Sequence, residues 1–236
     1  MTIQILSQEV AAAIAAGEVV ERPTSVVKEL VENSLDAGAR SIAVRIEGGG
    51  RRLVEVSDDG AGIPAGEVPL AVERHATSKL HSIEDLFAIR TLGFRGEALA
   101  SIAAVAQVEL VSRTPHESKG TRLRAEGGVA GRPEPMGAPA GTVVRVRDLF
   151  FNVPARQKFL KSEDTERRRI LTLVTRYALA YPQVRFQLSQ EDRPAFASSG
   201  NGDRREVLSA VFGLEIAREM IALPPAHVRG VQVEGF

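Results

Sequence analysis

Glu29, Asn33 and Asp36 fall at i, i+4 and i+7 of the run VKELVENSLD (27–36), so on a helix they stack along one stripe. A carboxylate one turn before a carboxamide can hold a water beside a hydrated metal ion. Glu29 can polarise that water as a general base, and Asn33 can give Mg²⁺ a neutral oxygen while waters and phosphates complete its octahedron. The same pattern also describes a helix with an ordinary solvated polar side. This segment alone leaves both readings open. The element that must position the stripe is an amphipathic helix. Val26, Val27, Leu30, Val31 and Leu35 recur at three-to-four spacing, with Pro23 near the start and Gly38 just past the end.

Two further segments carry polar groups that suit a nucleotide. Ile42, Val44 and Ile46, the turn Gly48-Gly49-Gly50, and Leu53, Val54 and Val56 predict a β-hairpin that ends on Asp58-Asp59-Gly60-Ala61-Gly62-Ile63. A carboxylate at a strand end followed by Gly-x-Gly suits a pocket floor. It can accept a hydrogen bond from an exocyclic amine, while the glycines let backbone approach a flat ring. By itself this is also a common turn. Next, RHATSK (74–79) is followed by LGFRGEALASI (92–102), in which Gly93 and Gly96 precede a helical Ala/Leu/Ile run. Free N–H groups at a helix start, with Thr77, Ser78, Lys79 and Arg95 nearby, can cradle phosphate oxygens.

In this order and spacing the segments are specific. The chain resembles the N-terminal ATPase region of the MutL DNA mismatch-repair proteins. That region lies in the GHKL ATPase superfamily, shared with gyrase B subunits, large ATP-dependent heat-shock chaperones and histidine kinases. The match is carried by IAAGEVVERPTSVVKELVENSLDAGA (14–39), DDGAGI (58–63), RHATSK, LGFRGEALASI and DLFFNVPARQKFL (148–160), and it fades after residue 188. GFRGEALASI and LFFNVPAR separate this branch from topoisomerases and chaperones, the main alternatives within the superfamily. An adaptor that binds ATP without hydrolysing it is a further alternative.

The resemblance implies ATP and Mg²⁺ as cofactors and places roles residue by residue. Glu29 is the implied general base and Asn33 the implied Mg²⁺ ligand. Asp58 is the implied adenine anchor, with Gly62 beside the base and Thr142 supporting the contact. Thr77 and Lys79 belong to a mobile lid. Gly93, Phe94, Arg95, Gly96, Glu97, Ala98 and Leu99 supply backbone groups around the triphosphate. The family's nucleotide loop often reads Asp-Asn-Gly, whereas here Asp59 brings a second carboxylate. The implied activity is slow ATP hydrolysis in a switch that dimerises on nucleotide binding. The implied partners are a second copy of the chain, mismatch-recognition and downstream repair proteins, and DNA, weakly or conditionally. No membrane is involved, and the expected location is cytoplasmic.

Composition agrees without pointing to this function. The 236 residues suffice for a full core, and 44% hydrophobic with 25% charged residues is ordinary for a globular protein. The absence of cysteine excludes disulfides and thiolate chemistry and fits a reducing cytosol. No basic stretch followed by an apolar core opens the chain, and no segment approaches membrane-spanning length. The net charge of zero restricts any DNA contact to a local patch.

The expected fold is α+β: a GHKL-type (Bergerat) two-layer sandwich with helices on one face of a mixed, largely antiparallel sheet. Residues 1–200 form the predicted ATP-binding domain, and 201–236 the truncated start of a transducer-like domain, after a Ser-Ser-Gly-Asn-Gly linker (198–202). In the family that second domain carries a lysine reaching the γ-phosphate, and no residue here matches it. Helices are predicted over 10–16 behind Ser7, after GFRGE, over 163–181 and over 204–212. Strands are predicted over 107–113, 121–125, 142–147, 184–189 and 228–236. Gly/Pro clusters at 127–128 and 133–141 read as breaks. His75 is expected to make a structural hydrogen bond, and His81, His116 and His227 to lie on the surface. Arg167-Arg168-Arg169, interleaved with acids, reads as a salt-bridged helix face. Phe150 and Phe151 read as core. Asp36 has two readings, orienting the helix or capping its end.

Overall fold

The computed structural model describes residues 4, 16–17, 19–80, 82, 84–228 and 231–236. The first predicted helix lies outside these apart from Ala16, which is buried. His81 also lies outside them.

Pro23 pre-sets the backbone for the first turn of α1 (Pro23–Asp36), whose apolar stripe of Val26, Val27, Leu30 and Val31 is at most 3% exposed. Gly38 ends it in the left-handed region, at φ +72°. The hairpin follows as β1 (Ser41–Glu47), a 3₁₀ turn over Gly48–Gly50, and β2 (Leu53–Asp58). Burial alternates strictly along β1, so one face meets the core and the other does not. After α2 (Ala98–Val105) come β3 (Gln107–Arg113), β4 (Gly120–Glu126), β5 (Val129–Ala130), β6 (Glu134–Met136) and β7 (Gly141–Arg147). Then follow α3 (Pro154–Phe159), α4 (Glu163–Ala180), β8 (Arg185–Gln190), β9 (Arg193–Ala197), α5 (Arg204–Phe212), α6 (Leu214–Glu219), β10 (Leu223–Val228) and β11 (Val231–Gly235).

Among the described residues, the first nine strands form one sheet in the order β5-β4-β3-β7-β2-β1-β8-β9, with β6 also on β4. Among the described strands, only β1 and β8 pair in parallel. The inner strand faces and the buried sides of α1, α2 and α4 share one apolar core. This is the expected two-layer α+β fold with a mixed sheet. On the outer face, Arg145 sits opposite both Glu55 and Glu109 and bonds each, tying β2, β7 and β3 together.

The differences from expectation are local. Two short strands lie beside and within the Gly/Pro clusters: Pro135 is tolerated because β6 lies at an edge, paired among the described strands with β4 alone. The last segment is a hairpin of β10 and β11, not one strand over 228–236. Pro224 and Pro225 had masked its first half. The 198–202 run is held down: Ser198 Oγ accepts the Phe186 N–H at 3.0 Å, and Gly202 N donates to Pro182 O at 3.0 Å. Phe150 is fully buried, as expected, whereas Phe151 is 37% exposed.

Gly141 lets β7 pass against the end of β2. Its φ is +114°, and a Cβ there would lie 2.0 Å from Asp58 O. Backbone strain of this kind costs about 1–3 kcal/mol before the clash is added. Gly141→Ala should therefore lower the melting temperature. An unchanged melting curve would show that β2 and β7 separate freely at this point.

Candidate functional site

Two ends of one site are held by adjacent residues of α1. At the first end, Asp58 closes β2 beneath Ser34. Ser34 Oγ donates to Asp58 Oδ2 at 2.7 Å, and Gly60 N donates to Oδ1 at 2.9 Å. Thr142 pairs with Asp58 in register, and its backbone also bonds the carboxylate. The Thr142 hydroxyl meets Ser112 Oγ at 2.8 Å, and Ser112 Oγ accepts the Ile63 N–H at 2.8 Å, fixing the loop through Gly62. Gly62 sits at φ +71°, and a Cβ there would lie 2.3 Å from Arg113 O. Burial pushes the Asp58 carboxyl above its ordinary pKa, against the hydrogen bonds of Ser34, Gly60 and Thr142. A half-buried acceptor on a glycine-bordered floor suits an exocyclic amine.

Asp59 answers a different need. Its Oδ1 accepts the N–H groups of Arg40 and Ser41, both at 2.8 Å, so its exposed side chain caps the start of β1. The two neighbouring carboxylates part as adjacent strand-end residues should.

At the second end, Asn33 Oδ1 accepts from Lys79 Nζ at 2.9 Å. Asp36 Oδ2 accepts from the same ammonium at 2.6 Å and from Gly93 N at 3.0 Å, while its Oδ1 accepts from Leu92 N at 2.9 Å. Asp36 is therefore an anchor for the segments 74–79 and 92–102, neither capping α1 nor orienting it. Gly93 packs against this cluster: a Cβ there would lie 3.3 Å from Lys79 Nζ and 3.5 Å from Asn33 Oδ1. Gly96 packs on Ala76, and His75 Nδ1 lies 3.4 Å from Glu97 Oε1. Among the described residues no side chain caps the start of α2, where the first-turn N–H groups of Ala98 and Leu99 lie.

Glu29 lies one turn before Asn33, with 22% of its side chain exposed. Lys28 Nζ bonds Glu29 Oε1 at 3.1 Å and Glu32 Oε2 at 2.7 Å, and Tyr177 OH donates to Glu32 Oε1 at 2.6 Å.

The structure gathers Asp58, Thr142 and the Gly62 loop at one place and Asn33, Lys79 and Gly93 at another, not all by their side chains. Thr77 Oγ1 accepts the backbone N–H of Lys79 at 3.1 Å, so the hydroxyl shapes its own loop. Arg95 is exposed and lies over the Phe94 ring, 5.6 Å from its centroid. The Glu97 carboxylate faces His75, leaving its backbone as its contribution. Arg167 pairs with Glu163, Asp164 and Glu191, as the salt-bridged face requires. Arg168 and Arg169 form no ion pair among the described residues, which corrects that reading for two of the three. His116 and His227 are exposed. Sequence reasoning missed Ser34, Ser112, Lys28, Glu32 and Tyr177. Ser34 and Glu32 carried a signal, being polar positions within an otherwise buried helix. Ser112 and Tyr177 carried none.

The place beside Asn33 suits a cation, since Asn33 and Asp36 already hold the Lys79 ammonium there. Among the described residues no three Asp, Glu, His or Cys side chains converge. A divalent ion would take Asn33 Oδ1 and complete its shell with phosphate and water oxygens.

Comparisons with known proteins point the same way. Residues 21–126 match the family model for histidine kinase-, DNA gyrase B-, and HSP90-like ATPases. The DNA mismatch repair protein MutL of Desulforudis audaxviator is 50% identical over 234 residues, covering 99% of this chain and 41% of that protein. MutL of Symbiobacterium thermophilum is 53% identical over 236 residues, covering 99% of this chain and 37% of that protein. The chain thus spans about two fifths of the length of these curated relatives. The solved Aquifex aeolicus MutL ATPase domain complexed with ADP superposes with a TM-score of 0.69 at 40% identity, covering 82% of this chain and 70% of that one.

Proposed function

Because the chain belongs to the family of MutL ATPase domains, we propose that it is the ATP-gated switch of a DNA mismatch-repair protein. The observation that carries this reading is that consecutive residues of α1 serve both ends of one site. Ser34 holds the base-end carboxylate, and Asn33 meets Lys79 and Gly93 at the phosphate end.

In this mechanism Asp58, braced by Ser34, Gly60 and Thr142, accepts the adenine amine, and Gly62 lets backbone lie against the ring. Asn33 would hold Mg²⁺, and the ion would supply neutralisation of phosphate charge. Lys79 moves from Asn33 towards the phosphates while Asp36 keeps its hold on Leu92 and Gly93. The backbone from Gly93 to Leu99 at the start of α2 cradles the triphosphate. Glu29 takes the proton of the attacking water. Hydrolysis is slow, because positioning and electrostatics supply the acceleration without a strong nucleophile.

Ordering of 74–99 over the phosphates changes how two copies meet, giving an ATP-dependent homodimer. That dimer couples mismatch-recognition proteins to downstream repair proteins in the cytoplasm, with weak or conditional DNA contact. Residues 1–200 form the ATP-binding unit, and 201–236 open a transducer-like unit. Measuring phosphate release alongside nucleotide affinity tests this. Tight ATP binding with slow release is expected. Binding with no release above the uncatalysed rate would make the chain a non-hydrolysing adaptor, and absent binding would end both readings.

A further inference from the structure

We propose that Glu32 and Tyr177 are positioning residues that keep the Lys28 ammonium partly away from Glu29, so that Glu29 is tethered at one oxygen and keeps the other open to a water. This rests on the reading of Glu29 as the general base.

Lys28 and Glu32 are one turn apart on α1, and both flank Glu29 on the helix surface. The single ammonium is shared unequally: 2.7 Å to Glu32 Oε2 and 3.1 Å to Glu29 Oε1. Glu32 is 7% exposed, and its other oxygen is taken by Tyr177 OH at 2.6 Å. Held at both oxygens, this buried carboxylate cannot turn, and it fixes where the ammonium rests. Tyr177 is held in turn on α4, stacked on Tyr181 with ring centroids 6.4 Å apart. Glu29 Oε1 is thereby tethered. Its Oε2 accepts no hydrogen bond among the described residues and remains open to a water.

An ammonium bound wholly by Glu29 would neutralise its charge and occupy the carboxylate that has to face the water. With Glu32 drawing the same charge the other way, Glu29 receives a tether and only part of the neutralisation. Glu32 and Tyr177 touch neither water nor nucleotide in this arrangement; they act through Lys28.

The test uses the full-length protein, with kcat, KM and ATP affinity measured for Glu32→Gln, Glu32→Gln with Lys28→Met, Tyr177→Phe and Glu29→Gln. Glu32→Gln should lower kcat about tenfold, the size of one charge-assisted hydrogen bond, with ATP affinity unchanged. Adding Lys28→Met should recover most of that loss, because the stray ammonium is gone. A merely structural Glu32 predicts the reverse, a double variant no faster than Glu32→Gln, and that result would overturn the proposal. Tyr177→Phe keeps the packing and should cost kcat roughly threefold with KM unchanged, about half the free energy of that bond. An unchanged kcat there would also overturn it, even if Glu32→Gln folds poorly. Glu29→Gln separates the two claims: retained hydrolysis removes Glu29 as the base, whereas lost hydrolysis with an unrescued double variant removes only the role of Glu32.

Discussion

Glu29→Ala is expected to keep Mg²⁺–ATP binding and to lose hydrolysis by ~10²-fold or more, within the range a general base contributes. The carboxylate is bonded only to Lys28 among the described residues, and its partly exposed side chain lies a turn from Asn33. In the proposed mechanism it meets a water and not the nucleotide. The transition state therefore loses an interaction that the ground state lacks, so kcat falls while affinity holds. The measurement belongs in the full-length protein, with single-turnover phosphate release beside equilibrium ATP binding. Hydrolysis near the parental rate would take Glu29 out of the mechanism. A matched loss of ATP affinity would make it a binding residue instead.

Asp58→Ala should weaken adenine nucleotides about ten- to a hundredfold, as expected for roughly 1.5–3 kcal/mol lost with a charge-assisted hydrogen bond. The effect should be specific to the base. Guanine carries a carbonyl where adenine carries the amine, so GTP should already bind poorly to the parent. Comparable ATP and GTP affinities in the parent would refute the assignment. The raised pKa of Asp58 adds a pH signature, because its burial favours the protonated form. A protonated carboxyl accepts less well, so ATP affinity should fall on acidification before an ordinary aspartate, near 3.9, would titrate. The folding linkage has the opposite sense. Ionised Asp58 costs the fold stability above its raised pKa, and that cost disappears as pH falls through it. The variant should lack both trends.

The large elements were legible because each carried its own period. α1 showed the three-to-four spacing of Val26, Val27, Leu30 and Val31, and β1 and β2 alternated around a glycine turn. The site was legible where function reads as a local string: the Glu29–Asn33 stripe, Asp58 with its glycines, and the glycines before α2. What the sequence did not show was tertiary. Ser34 matters because β2 ends under α1, Ser112 because β3 pairs with β7, and Tyr177 because α4 packs on α1. No local pattern announces such contacts. Asp36 was ambiguous for the same reason, since its partners Lys79, Leu92 and Gly93 lie more than forty residues away. The short strands β5, β6 and β10 were hidden by proline and glycine, which edge positions tolerate.

In the proposed switch, nucleotide orders the segment from Arg74 to Leu99 over the site. The described residues of that segment meet α1 through Lys79, Leu92 and Gly93 on Asp36. Phe87 is 89% exposed and Ile89 41%, apolar surface that closure can bury. Such a segment sits at the low-stability end of a fold. Ordering costs roughly 1–2 kcal/mol per residue, so phosphate contacts alone fall short and packing around Phe87 and Ile89 must contribute. Amide hydrogen exchange with and without a non-hydrolysable ATP analogue measures this directly. Fast exchange across residues 74–99 is expected in the free chain, and strong protection with the analogue and Mg²⁺. Equal protection in both states, with the analogue bound, would contradict the switch.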